Sequence, residues 1–237
     1  MPAGGTGCAG ALFCDDFEDD AAGAPPGAPW EVNTNSGSVE VSADKAFGGT
    51  KSVHLVGDMA QYARAFMSLS GAPVFPAAAA TLFGRMRIYV AQLPESAHWT
   101  IIQAEGPSAD DSYRAFFRYG GQHEGGRLMA NYETDGKATD CWDHSDTKLP
   151  AATWACVEWA YSTANAEMQF WLDGKELPDI HVVGTGEGCV NDDLNGDWIA
   201  PKGFDVLRVG WEHYQDTGPH DVYIDNVGVG TQRVGCE

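Results

Sequence analysis

Short runs in which apolar and polar residues alternate at every second position recur along the whole chain, separated by clusters of Gly, Pro, Asn and Asp. Period two is the signature of a strand with one buried face, and no sustained apolar stripe of helical period accompanies it. The pattern predicts about eleven strands: SVEVSA, KSVHLVG, YARAFMSL, TLFGRMRIYV, HWTIIQAE, YRAFFRYG, GRLMANYE, WACVEWAYS, EMQFWLDG, DVLRVGWEHY and DVYIDNVGVG. The LDGK within WLDGKEL marks a hairpin turn. That many strands without helices predict an all-β, two-sheet sandwich. The stretch from 187 to 201 reads as a long polar loop, and PAAAA at 76–80 as a connection. Residues 1–12 read as an N-terminal tail before a single domain spanning 13–237.

Parity then sorts the side chains, because one face of each strand enters the core. In GRMRIYV, Met86, Ile88 and Val90 share a face, leaving Arg85, Arg87 and Tyr89 opposite. Arg114 and Arg118 fall together in YRAFFRYG, and Arg64 joins Tyr62 in YARAFMSL. In DVLRVGWEHY, Leu207, Val209 and Trp211 point one way, and Arg208, Gly210, Glu212 and Tyr214 the other. Six of the eight arginines are therefore expected mid-strand on outer faces. Strand arginines usually pair with surface carboxylates. The alternative is a set lining one concave sheet, where planar, bidentate donors suit an anionic or hydroxyl-rich ligand.

The formal net charge of −20 argues against nucleic acid, whose binders cluster Lys and Arg. No apolar run is long enough to span a membrane. The opening MPAGGTGCAG lacks the features of a signal peptide, as expected of a mature or trimmed chain whose leader, if any, is gone. Six cysteines without a CxxC pair suggest disulfides of a secreted protein rather than a zinc site. The pairing expected is Cys156 with Cys236, Cys8 with Cys14, and Cys141 with Cys189, although sequence alone leaves every other full pairing open. Closing the long loop from Cys156 to Cys236 contributes roughly 4 kcal/mol in the chain-entropy picture.

Several short segments recur together in a familiar order: DDFE at 15–18, AFGGTKSVHLVG, FRYGGQ at 117–122, WACVEW, FWLDG, VGWEHY, VYIDNV and the ending TQRVGC. In this order they resemble the cellulose-induced secreted proteins of wood-degrading fungi. Beyond these, the chain is similar to the jelly-roll polysaccharide lyases, namely the fungal glucuronan lyases and, more remotely, the alginate lyases. The resemblance implies a concanavalin A-like jelly roll with a concave carbohydrate cleft. It also implies a structural Ca²⁺ where the first and last strands meet, at positions matching Glu18, Asp225 and the turn from Gly48 to Thr50. Carboxylates and backbone carbonyls are the oxygen ligands this ion takes.

For the site, the resemblance points to Arg64, Gln103 and Tyr214. The lyase histidine positions are filled here by Arg64 and Glu105, and one residue is inserted before Tyr214. β-Elimination from a uronic acid needs a neutralised carboxylate, a base for the C5 proton and an acid for the leaving O4. Gln103 with Arg64 or Arg118 is expected to meet the carboxylate. Tyr214 is expected to serve as both base and acid, with its pKa lowered by nearby arginines. Further candidate substrate contacts are Gln122, Glu105, Glu212, Arg208, Tyr132 and His98. His98 and His213 rank lower, since His98 is off the Gln103 parity and His213 shares that of Trp211. The expected ligand is a polysaccharide or oligosaccharide bound by a monomer. Two other readings compete. One is a non-catalytic carbohydrate-binding protein of plant cell-wall breakdown, presenting Trp99, Tyr119, Tyr132 and Trp211 to sugar rings. The other is a glycoside hydrolase using Glu105 and Glu212.

Overall fold

The computed structural model describes residues 8, 10–77, 79–123 and 125–236. Most of the expected N-terminal tail, and Ala78 of the PAAAA connection, lie outside them. In chain order the strands are β1 (Phe13–Asp15), β2 (Glu31–Asn35), β3 (Gly37–Ser42), β4 (Ser52–Gly57), β5 (Ala63–Leu69) and β6 (Thr81–Val90). They continue with β7 (Trp99–Pro107), β8 (Arg114–Gly121), β9 (Arg127–Asp135), β10 (Thr139–Lys148), β11 (Trp154–Ser162) and β12 (Glu167–Leu172). The last are β13 (Lys175–Glu176), β14 (Val182–Val183), β15 (Gly188–Asp192), β16 (Val206–His213) and β17 (His220–Gly230). A single 3₁₀ turn at Pro178–Ile180 is the sole helical element among the described residues.

Two antiparallel sheets form the jelly roll. One runs β13-β12-β11-β6-β17-β4-β3, with β1 added beside β17 and β14 beside β12. The other, which carries the cleft, runs β15-β10-β9-β8-β7-β16-β5-β2. All eleven predicted strands are present. The turn between β12 and β13 has positive φ at both Asp173 and Gly174, as a two-residue hairpin of this kind requires.

Between the sheets lies one continuous core, to which Met86, Ile88, Phe117, Trp159, Leu207 and Val209 contribute. Its aromatics stack within and between the sheets, Trp99 and Trp211 on neighbouring strands at 5.2 Å and Tyr119 and Tyr161 across the gap at 5.5 Å between ring centroids. The two glycines of FRYGGQ make room for this. A Cβ on Gly121 would sit 2.2 Å from the Trp99 ring, and one on Gly120 only 1.8 Å from the Trp99 carbonyl.

Six strands escaped the sequence pattern, β1, β2, β10, β13, β14 and β15. β10 holds TDCWDHSDTK, whose inward residues Thr139, Cys141 and Ser145 are not strongly apolar. β15 interrupts what was expected to be a polar loop and pairs with β10, Cys141 opposite Cys189 and Trp142 opposite Gly188. All three expected disulfides are present.

Arg85 departs from the parity expectation. It lies on the outer face of β6 but is fully buried, because the C-terminal segment crosses over it. Cys236, joined to Cys156, holds that segment down, while Arg233 and the Gly235 N–H bind the buried carboxylate of Glu158. Arg87 donates to the Cys236 carbonyl.

Candidate functional site

Four of the six mid-strand arginines, Arg64, Arg114, Arg118 and Arg208, belong to the cleft-bearing sheet, and Arg85 and Arg87 to the other. All four are paired with carboxylates. Arg64 stands 3.4 Å from Glu212, and Arg208 grips Glu105. Arg114 reaches Glu105 at 3.3 Å and Asp205 at 2.5 Å, and Arg118 binds Glu133. The charges thus line one sheet and are neutralised there at the same time.

Register explains how the centre assembles. Arg208, Gln103, Arg118 and Asn131 stand opposite one another across β16, β7, β8 and β9. Arg118 Nε donates to Gln103 Oε1 at 2.8 Å, and Gln103 Nε2 donates to Glu105 Oε2 at 2.9 Å. Gln103 is buried and held from both ends, so it helps fix the position of the Arg118 guanidinium.

A cleft of ≈ 1090 Å³ opens over this sheet, lined among others by Tyr62, His98, Thr100, Arg118, Gln122 and Tyr214. It slightly exceeds the usual upper size of small-molecule pockets, about 1,000 Å³. Of the sequence candidates, Tyr214, Arg118, Gln122 and His98 therefore line one space. Gln103, Arg64, Glu105, Glu212 and Arg208 do not line it. Glu212 is paired with Arg64, and Glu105 with Arg114 and Arg208.

Tyr132 is a correction. It packs in the core, and its hydroxyl donates to the Ile199 carbonyl at 3.0 Å. Trp99, Tyr119 and Trp211 are buried as well, so none of the four offers a face to sugar. Among the described residues, the Tyr and Trp side chains that line the cleft are Tyr62, Trp142 and Tyr214. Trp142, Asp140, Asp143 and His144 come from β10, the strand the hydrophobic pattern did not reveal.

Tyr214 corrects an expectation about protonation. It follows the last residue of β16, is half-buried, and pairs its hydroxyl with Thr100 Oγ1 at 2.9 Å. Burial raises its pKa above the ordinary tyrosine value; Arg118 acts in the lowering direction, as expected, but does not prevail, and Glu212 adds to the rise. His98 shifts the opposite way, lowered by burial and by His123, whose Nδ1 is 3.1 Å from His98 Nε2.

A β-bulge explains why His98 was ranked low. Ile101 and Ile102 are both buried, and the register of β7 shifts between Thr100 and Ile102. Parity therefore flips at that point, and His98 and Thr100 share the outer face with Gln103. His213, by contrast, is buried in the interior, consistent with its Trp211 parity.

At the junction of the chain ends, the Glu18 carboxylate accepts from Thr50 N at 2.8 Å, Thr50 Oγ1 at 2.8 Å and Lys51 N at 2.7 Å. Asp225, fully buried, accepts from Phe47 N at 2.8 Å and Gly48 N at 3.1 Å. Both carboxylates thus converge on the turn at 47–51. The turn needs its glycine, since a Cβ on Gly49 would lie 2.4 Å from Glu18 Oε1. Lys51 Nζ donates to the carbonyls of Glu18 at 2.7 Å and Asp20 at 2.6 Å. Carboxylates and carbonyls are the oxygens a hard cation such as Ca²⁺ takes, and here they are met by the chain's own N–H, hydroxyl and ammonium donors.

The sequence profile of a polysaccharide lyase-like family, described as Cip1-like, core domain, matches residues 16–232. The chain belongs to this Cip1-like family. The solved cellulose-induced protein Cip1 is similar at 22% identity and a TM-score of 0.69, covering 95% of this chain and 100% of that one. An endo-β-1,4-glucuronan lyase from the fungus Trichoderma reesei follows at 14% identity and TM-score 0.59, covering 94% and 96%. A β-1,3-glucanase from Mycobacterium marinum shares the fold at 14% identity and TM-score 0.56, covering 92% and 98%. No curated protein matches the chain in sequence. Membership of the Cip1-like family supports a carbohydrate-active role; the solved neighbours, at identities this low, speak to the fold alone.

Proposed function

We propose that this protein is a secreted polysaccharide lyase that cleaves a uronate-containing polymer by β-elimination. The observation that carries the reading is the convergence of Arg118, Tyr214 and His98 in one cleft with opposite protonation tendencies. Arg118, oriented by Gln103, meets the uronate carboxylate and lowers the cost of charge building up at C5. His98, neutral at pH 7, takes the C5 proton. Tyr214, kept protonated, gives its proton to the leaving O4 and regains one from solvent, while His98 releases the C5 proton to solvent. This assignment splits between two residues the work first assigned to Tyr214 alone.

Three disulfides support secretion, and no helix among the described residues is long and apolar enough to cross a membrane. We assign a structural Ca²⁺ to Glu18, Asp225 and the turn from Gly48 to Thr50, where it would tie the first and last strands together. The test of the catalytic reading is the appearance of unsaturated uronyl ends, absorbing near ~235 nm, on a panel of polyuronates.

A non-catalytic binding role is favoured by one observation, the capture of Arg118 by Glu133. Binding that persists unchanged in Tyr214→Phe, without product from the parent protein, would establish that role instead.

A further inference from the structure

The charges around the cleft bear on which uronate polymer it accepts, an inference that rests on the lyase reading above. Two arginines line it, Arg118 and Arg127, and each already faces a carboxylate: Glu133 for Arg118, and Asp146, at 3.3 Å, for Arg127. Six carboxylates line the same space, Glu133, Asp140, Asp143, Asp146, Asp179 and Glu187. Three of them take neutral donors, Asp140 from Asn131 Nδ2 at 2.8 Å, Asp143 from the His144 N–H at 3.0 Å and Asp179 from the Ser145 hydroxyl at 3.4 Å, and Glu187 stands 2.8 Å from His144 Nδ1. The chain as a whole carries −20. A polymer with a carboxylate on every sugar would place successive charges against this acidic wall, within a Debye length of about 8 Å at physiological salt.

The wall is nevertheless built to hold a sugar. Trp142 is half-buried, and it stands in register opposite Gly188, where a Cβ would come within 3.1 Å of its ring. The neighbouring pair, Cys141 and Cys189, is a disulfide, which locks β10 to β15 at this position. An indole fixed in this way offers a flat face to an uncharged pyranose. The surrounding carboxylates accept hydrogen bonds from hydroxyl groups, which a neutral sugar has in number and a carboxylate lacks.

We propose that the cleft takes a heteropolysaccharide in which one 4-linked uronate, seated at Arg118, is flanked by uncharged sugars, one of which stacks on Trp142. A homopolyuronate is the poorer substrate.

The test compares initial rates of unsaturated product on a (1→4)-linked glucuronan and on gellan, whose repeat places one 4-substituted glucuronate among neutral sugars, at equal uronate concentration and at low and high salt. Binding of the Tyr214→Phe variant to both polymers is measured in parallel. The expected result is a rate on gellan about tenfold or more above that on glucuronan at low salt, a glucuronan rate that rises as salt is added, and a gellan rate reduced by Trp142→Ala. A faster reaction on glucuronan at low salt, weakened by salt, would overturn this inference and leave the lyase reading standing. Gellan binding without product from either polymer would retain the inference and remove the lyase chemistry. Neither binding nor product would overturn both.

Discussion

The backbone N–H of Tyr214 donates to the carbonyl of His98 at 3.0 Å, and the N–H of His98 donates to Gln215 Oε1 at 2.7 Å. The end of β16 and the entry to β7 are thereby locked as one unit, and two side chains with opposing pKa shifts are placed beside a single cleft. Pairs of groups whose environments push their protonation apart are where acid and base roles are found.

This pairing determines the pH profile. His98 must be unprotonated to act as base, and its pKa lies below the ordinary 6.5. Tyr214 must keep its proton, and its pKa lies above the ordinary 10.0. Activity should therefore reach half its maximum below pH 6.5, level off as pH rises further and hold through pH 9. The check is kcat/KM against pH. A rate that rises only toward pH 10 would mean that tyrosinate is the base.

The architecture was legible in the sequence, and the chemistry only partly so. Alternation in β6, β8 and β16 is strong because Met86, Ile88, Phe117, Leu207 and Val209 enter a dry core. β10 was invisible because its inward positions are Thr, Cys and Ser, and a disulfide supplies what apolar burial does not. Tyr132 was misjudged although its strand carried the answer: it shares parity with Leu128 and Ala130, both buried. His98 was undervalued for a different reason, since a bulge at two consecutive isoleucines is not written in a period-two pattern.

Calcium removal should lower thermal stability. An ion binding only the folded chain at a hundred times its dissociation constant adds about 2.7 kcal/mol, so chelation with EGTA should lower Tm by about 5 °C or more. Glu18→Gln should abolish that response. A melting curve indifferent to EGTA and to added Ca²⁺ would remove the ion from the account.

The C-terminal clasp should be worth more than its few residues suggest. Cys236→Ser opens the bridge to Cys156 and frees the segment covering Arg85 and Glu158, both buried. The loss expected in urea denaturation is roughly 4 kcal/mol. A mass consistent with a free thiol at either position in the unreduced protein would contradict the premise.

Acid should weaken the fold through two histidines. His213 and His220 are buried with ring centroids 5.0 Å apart, and burial lowers both pKa values below 6.5, with His220 adding to the shift at His213. The unfolded chain then binds more protons than the folded one as pH falls through and below 6.5. Their stabilising effect is whole above that pH and is lost as pH drops toward their folded values. Urea midpoints measured from pH 7.5 to 5 should fall, and less steeply in His213→Phe.

The most direct measurement is absorbance at about 235 nm while the protein acts on uronate polymers, run beside Tyr214→Phe. The account predicts product from the parent protein and a rate about 10²- to 10⁴-fold lower from the variant, with polymer binding retained. No product across the panel, or equal rates from both proteins, would contradict it.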